Sequence, residues 1–196
     1  MKKIITISRQ FGSGGRTVGK KLAERLGYDY YDKEIIEQVH KETGFSKEFI
    51  ENQGEYSPSS SFFTYAFIGR DANGVSMNDY LWNAQREFIL KIAEGERPCV
   101  IVGRCADYIL ADRNDVLNVF VHADTEFKVK RILEEYGETK VAPEKRLKEK
   151  DKKRKINYEY YTDRIWGKCS NYDISLNTGR IGIDKCVDIL EDLVKI

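Results

Sequence analysis

The stretch Ile4-Ile-Thr-Ile-Ser-Arg-Gln-Phe-Gly-Ser-Gly-Gly-Arg-Thr17 holds three kinds of local structure in succession. Ile4 to Ile7 is a short β-branched run without polar alternation, the pattern of a central strand covered on both faces. Gly12, Gly14 and Gly15 form a loop. Val18, Leu22 and Leu26 then recur at i, i+4 and i+8 as the inward face of a helix, which Gly27 closes as a C-terminal cap.

Downstream, strand-like and helix-like segments alternate. Tyr28 to Tyr31 reads as a second strand with Asp32 at its carboxyl end, and Ile35, Ile36 and Val39 mark another helix. Residues 43–77 are the least regular, with Ser57-Pro-Ser-Ser-Ser61 and Asp71-Ala-Asn-Gly74 interleaved with Phe62, Phe63, Tyr65 and Phe67. That composition fits a substrate-covering insertion or a flap packed by its own aromatics. Asn78 to Glu94 is helical, and Cys99 to Val102 and Val116 to Val121 are strands. Asp124 is placed to cap a helix with Val129, Ile132, Leu133 and Tyr136 inward. A charged stretch, a fifth strand at Ile174 to Leu176, and a helix presenting Ile183, Val187, Leu190 and Val194 complete the chain. This alternation predicts an α/β fold: a doubly wound five-stranded parallel sheet with helices on both faces, ligands lying beyond the strands' carboxyl ends.

Composition narrows the class. The chain has 196 residues, 33 Lys and Arg against 32 Asp and Glu, a net charge of +1, 41% hydrophobic and 12% aromatic residues. These values predict one domain over 1–196, with insertions near 43–77 and 137–157. Near-neutrality removes the simplest argument for a nucleic-acid or anionic-membrane binder. No apolar run approaches the roughly 20 residues of a membrane-spanning helix. The first residues lack a signal peptide's apolar stretch, so a cytoplasmic protein is expected. No feature sets an oligomeric state. Cys99, Cys105, Cys169 and Cys186 form no Cys-x-x-Cys pair, and only His40 and His122 accompany them, which predicts free thiols rather than zinc or disulfides.

A glycine-rich loop between strand and helix turns backbone N–H groups inward, and the helix dipole adds to their pull on phosphate. The strict Gly-x4-Gly-Lys-[Ser/Thr] pattern fails: Gly14-x4-Gly19-Lys20 matches, but Lys21 stands at the hydroxyl position. That register would also delay the helix past Lys20 and waste Val18. In the preferred register Gly12, Ser13, Gly14 and Gly15 cradle the phosphates, Arg16 replaces the lysine's charge, and Thr17 offers a hydroxyl to Mg²⁺. A glycine turn that only packs helix on strand is the alternative.

The loop resembles a variant of the nucleoside monophosphate kinase P-loop, with Arg9 at the first glycine position and Gly15-Arg16 where Lys-Gly is usual. More closely, Ile7 to Arg16, Leu26 to Asp32, Gly103-Arg104, Asn171-Tyr-Asp173 and Asn177-Thr178 resemble the cytidylate-kinase-like family. The resemblance implies Mg-ATP-dependent phosphoryl transfer to a nucleoside monophosphate. Such transfer needs an acidic group near the metal or acceptor, and cations for the equatorial oxygens. Asp32 is the candidate base or metal-shell carboxylate; capping the next helix is its other reading. The family's Gly-Arg-Asp motif after the third strand implies that Arg104 and, displaced by two positions, Asp107 contact the acceptor.

The segment Glu138 to Lys155 has nine Lys and Arg against four Asp and Glu, so +5, leaving −4 for the rest of the chain. Nucleotide kinases place a closing lid there, which implies phosphate roles for Arg154 and Arg131, then Arg146 and Arg164, since a planar fork suits phosphate oxygens. A solvated helix face is the alternative. Tyr158, Tyr160, Tyr161 and Trp166 allow base stacking, but one patch without an RNA-binding module points to packing instead. A kinase of another small metabolite, and a nucleotide-binding regulator without catalysis, stay open beside the main reading.

Overall fold

The structure, a computed structural model, describes residues 2–54 and 76–195. The motif-rich part of the expected insertion, from Ser57 to Gly74, lies outside them. Strand β1 (Ile4–Arg9) is the centre of a five-stranded sheet, and all six of its residues are buried. It pairs in parallel with β3 (Cys99–Val102) on one side and β4 (Val116–His122) on the other. β2 (Asp29–Tyr31) adds to β3, and β5 (Ile174–Asn177) to β4, both parallel. The order is β2-β3-β1-β4-β5, the expected five strands.

Alternation along each strand divides the core in two. Ile5, Ile7, Val100, Val102, Val119 and Val121 face helix α1 (Gly15–Leu26) and the C-terminal helix Ile183–Val194. Their neighbours Ile4, Cys99, Ile101 and Val116 face α2 (Lys33–Thr43), α3 (Lys47–Gly54) and α4 (Met77–Glu94). The expected apolar faces are buried at Val18 and Leu22 on α1 and at Val187, Leu190 and Val194 on the last helix. On the helix after Asp124, Ile132 is buried, but Tyr136, expected inward, is half exposed because it ends the helix and stacks on Phe11 of the glycine loop. Gly27 caps α1, its N–H donating to the Ala23 carbonyl.

Beyond β3 comes the short α5 (Ala106–Ile109), and beyond β4 comes α6 (Thr125–Tyr136). Asp124 precedes α6 but does not cap it. Its carboxylate accepts instead from Arg180 Nε at 2.8 Å, a charge-assisted bond that replaces a single cap bond. The basic segment is ordered as α7 (Pro143–Thr162), which buries Leu147, Arg154, Asn157, Tyr158 and Thr162. A one-turn α8 (Thr178–Ile181) leads into α9 (Ile183–Val194). Cys99, Cys105 and Cys186 are buried, Cys169 is exposed, and all four are free thiols. Among the described residues no helix is long and apolar enough to cross a membrane.

Candidate active site

β1 delivers its chain into the glycine loop, and the loop's outer edge is tied down. The Asp151 carboxylate on α7 accepts the Phe11 N–H at 2.6 Å. Lys128 on α6 donates to Gln10 Oε1 at 2.9 Å, while the Thr178 hydroxyl donates to the carbonyls of Ser13 and His122 at 2.6 and 3.2 Å. The Asn177-Thr178 pair thus acts as a brace: Asn177 caps α8 and Thr178 holds the loop. Ser13 is fully buried with its hydroxyl on the Gln10 carbonyl, so it offers its backbone only.

Two glycines are required by this geometry. Gly12 has φ +78°, and a Cβ there would stand 2.8 Å from Ile132 Cγ2 and 3.0 Å from the Lys128 carbonyl. A Cβ on Gly15 would lie 2.6 Å from Arg9 Cβ, so glycine at the start of α1 gives the Arg9 side chain its path. Helix α1 starts at Gly15, with Val18 and Gly19 both buried. Gly19 faces Ile7, Val102 and Tyr30 rather than a ligand, and Lys20 is exposed beside Glu24. The helix therefore starts where the preferred register puts it, with Arg16 and Thr17 in its first turn.

The loop's inner edge opens on a cavity of about 130 Å³ whose lining includes Gly12, Gly14, Gly15, Thr17 and four arginines, Arg9, Arg16, Arg131 and Arg154. Arg131 Nη2 donates to Thr17 Oγ1 at 2.7 Å and to Glu135 at 2.9 Å. Arg154 donates to the Arg9 carbonyl at 3.3 Å and lies 5.7 Å above the Phe11 ring. Arg16 Nε meets Asp32 Oδ2 at 2.9 Å, and Arg9 Nη2 is 3.9 Å from Asp32 Oδ1. Asp32 precedes α2 yet makes no side-chain cap bond, so it positions guanidiniums rather than the helix. Counting Lys128 with the four arginines against Asp32, Asp151 and Glu135 leaves a net +2 around the cavity. Clustered guanidinium-bearing side chains with excess positive charge at a helix N-terminus suit a polyphosphate.

A second, smaller cavity of about 30 Å³ adjoins the carboxyl end of β3, lined by Gly103, Arg104, Asn157 and Tyr158 together with Arg9 and Arg154. Arg104 is a non-glycine residue at φ +58°, and strain of this kind persists where surrounding bonds enforce it. Its Nη1 donates to Gln85 Oε1 at 3.0 Å and to the Ile50 carbonyl at 3.3 Å, tying β3 to α3 and α4. Asp107 is 2% exposed and accepts from the Tyr158 hydroxyl at 2.6 Å. Arg164 lies over the Tyr108 ring at 5.1 Å, and Arg146 donates to the Gly137 carbonyl at 2.9 Å; neither lines the two cavities. Arg16, Arg131 and Arg154 are thus brought together, whereas Arg104 and Asp107 stand on the β3 side. Arg9, absent from the sequence candidates, lines both cavities. The aromatics near α7 are engaged in packing: Tyr161 stacks on Trp82 at 4.4 Å and Trp166 meets Phe120 edge-on.

Burial pushes the Asp107 carboxyl above the usual carboxylate range, with the Tyr158 hydroxyl pulling the other way. Burial likewise raises Asp151, offset by the Phe11 N–H. A carboxyl whose folded pKa is raised favours folding in its protonated form, and that stability is lost as pH rises from the unfolded pKa, about 4, through the folded value. Asn at 107 keeps an acceptor for Tyr158 without a charge. Asp107→Asn is therefore expected to gain stability on wild type above pH ~4, the gap closing as pH falls below it. Urea unfolding of both proteins across pH measures this; a gap independent of pH would contradict it.

Thr17 and Asp32 border one groove with Arg16. A hydroxyl and a carboxylate are the hard oxygen ligands Mg²⁺ takes, and this ion draws its other ligands from phosphate and water, so two protein donors suffice. Among the described residues no group of three or more His, Cys, Asp or Glu is gathered for a metal.

The chain is similar to known proteins in sequence and fold. A cytidylate kinase of Archaeoglobus fulgidus is 27% identical over 197 residues, 98% of this chain and 94% of that protein. A cytidylate kinase of Natronomonas pharaonis is 26% identical over 193 residues, covering 97% and 88%. Among solved structures, an uncharacterized protein from Eubacterium ventriosum superposes with a TM-score of 0.73 at 30% identity over 98% of both chains. A shikimate kinase from Acinetobacter baumannii shares the fold, with a TM-score of 0.56 at 16% identity over 100% of this chain and 94% of that one. Residues 4–180, from β1 through α8 and so including both cavities, match the cytidylate kinase-like family, and the chain belongs to that family.

Proposed function

We propose that the protein is a cytoplasmic, Mg-ATP-dependent nucleoside monophosphate kinase that favours a CMP-like acceptor. The observation that carries this reading is the glycine cradle at the start of α1, opening into a cavity lined by four arginines. The name of the relatives, cytidylate kinase, supports the choice of acceptor. In this reading Gly12 to Thr17 hold the ATP phosphates through backbone N–H groups, and Arg16 supplies the cation that a lysine supplies elsewhere. Arg131 and Arg154 neutralise charge on the equatorial oxygens, and α7 acts as the lid. Arg104 orients the acceptor phosphate from the β3 side, and Asp107 fixes Tyr158 beside it. Arg146 and Arg164 are left as peripheral cations of the lid. Thr17 and Asp32 hold Mg²⁺, which when bound supplies further neutralisation of the phosphates.

The transfer needs no general base. An acceptor phosphate oxygen bonds to the γ-phosphorus while the bond from that phosphorus to the β–γ bridging oxygen breaks, and ADP leaves with the electron pair. A nucleoside monophosphate is largely dianionic at pH 7, its second pKa being about 6. Alignment and electrostatics then remain as the catalytic task. A hydroxyl acceptor, in contrast, has a proton to lose. Asp32, engaged by Arg16 at 2.9 Å, is committed to positioning a cation rather than to taking that proton.

The test is a coupled assay of the folded chain with Mg-ATP against CMP, UMP, AMP, GMP and a panel of hydroxylated metabolites. Turnover is expected with CMP-like acceptors at ordinary kinase rates, about 1–100 s⁻¹. Turnover of hydroxylated metabolites alone would replace the acceptor class. Tight ATP binding with no transfer to any acceptor would make the protein a regulator.

A further inference from the structure

Arg9 is one of the four arginines of the donor cavity but has no assigned step in the transfer above, yet it lines both cavities. It is the last residue of β1, its side chain is 5% exposed, and it lines both the cavity of the glycine loop and the cavity beside Arg104. The other candidate cations divide between the sites: Arg16 and Arg131 line the first and Arg104 the second. Arg154 also lines both, but it belongs to α7, whereas Arg9 is fixed in the central strand opposite Val121. The position is built. Asp32 Oδ1 stands 3.9 Å from Arg9 Nη2, Arg154 grips the Arg9 carbonyl, and Gly15 clears the space that the side chain occupies.

We propose that Arg9 is a catalytic residue whose guanidinium contacts the phosphoryl group in transit between the donor and acceptor cavities. This inference rests on the nucleoside monophosphate kinase reading. In the transfer, charge shifts from the acceptor oxygen through the γ-phosphoryl oxygens to the departing β-phosphate as one P–O bond forms and the other breaks. A cation at the junction of the two cavities is aimed at the equatorial oxygens of the phosphorus common to both bonds, and burial strengthens its effect there. No proton transfer is involved. Arg9 should therefore act on the transition state and on ligands that span both cavities, and little on either substrate alone.

The experiment compares wild type, Arg9→Met and Arg9→Lys as full chains. It measures CMP turnover, the Kd of ATP and of CMP separately, and the Kd of a dinucleoside pentaphosphate joining adenosine to cytidine. Arg9→Met is expected to lower kcat by about 100-fold or more and to weaken the bridging ligand by about 30-fold, while the single substrates change less than about fivefold. Arg9→Lys, which keeps charge and reach, is expected to recover part of kcat and guards against a folding defect in Arg9→Met. A kcat within about fivefold of wild type overturns the inference, as does a loss of ATP affinity as large as the loss of kcat. Equal weakening of all ligands in both variants assigns Arg9 to the architecture and also overturns it. Wild type inactive on every nucleoside monophosphate removes the underlying reading itself. Wild-type turnover with unaffected Arg9 variants removes only this one.

Discussion

Arg16→Met will lower kcat/KM for Mg-ATP by about 10³-fold, the scale found when one cation facing a transferring phosphoryl group is removed. The helix N-terminus and loop N–H groups survive the substitution, so most of the loss should fall in kcat rather than in ATP binding. Arg16 is the only cation of α1 that lines the glycine-loop cavity, and its side chain is 35% exposed, so little packing goes with it. A stability change within about 1 kcal/mol is expected, as for other surface-proximal substitutions. Asp32→Asn loosens Arg16 without removing it but also takes a carboxylate from Mg²⁺, so its loss should be about tenfold at saturating Mg²⁺ and should deepen as Mg²⁺ is lowered. Single-turnover transfer and equilibrium ATP binding, measured on the same preparations, separate the outcomes. Arg16→Met with unchanged single-turnover rate would hand the lysine's role to another cation. Loss of ATP binding alone, from a wild type that never transfers phosphate, would instead describe a regulator.

The core of this protein is readable from sequence because its strands are covered on both faces. Ile4 to Ile7, Cys99 to Val102 and Val116 to Val121 are mostly apolar runs, and they form the three middle strands of the sheet. Helix α7 shows the opposite case. Its buried positions Leu147, Arg154, Asn157, Tyr158 and Thr162 keep a helical rhythm but are mostly polar, so hydropathy sees only a charged run. Those polar groups are satisfied by partners distant in sequence, such as Arg154 on the Arg9 carbonyl and Tyr158 on Asp107. Asp32 could be located at a strand's carboxyl end, but its choice between capping α2 and holding Arg16 depends on where α1 begins. Arg9 carries little sequence signal of a site role for a related reason. It occupies a position where the P-loop pattern has a glycine, and its importance comes from the cavity on each side of it, which only the folded chain defines.

The loop's dependence on shape leads to the second large effect. Gly12→Val will destabilise the fold by about 2–5 kcal/mol, from about 1–2 for a side chain in the left-handed region and about 1–3 for overpacking. The new Cβ meets Ile132 Cγ2, which can turn, but also the Lys128 carbonyl of α6 at 3.0 Å, which cannot. At roughly 2–4 °C per kcal/mol for a chain of this size, the melting temperature should fall by about 10 °C. Relief of the clash requires α6 and α7 to move off the loop, since Leu147 is the third neighbour at 3.2 Å. That movement pulls Asp151 from the Phe11 N–H and Arg131 from Thr17, so the KM for ATP should rise by tenfold or so in the fraction that folds. Gly44→Ala is the control. Gly44 has φ +72° but no atom within 4 Å of an added Cβ, and it caps α2 away from both cavities. It should cost only the backbone strain, about 1–2 kcal/mol, and leave the KM for ATP alone. Scanning calorimetry of the two variants gives the difference directly. If Gly12→Val melts no lower than Gly44→Ala, the contact between α6, α7 and the glycine loop is too loose to act as a lid hinge.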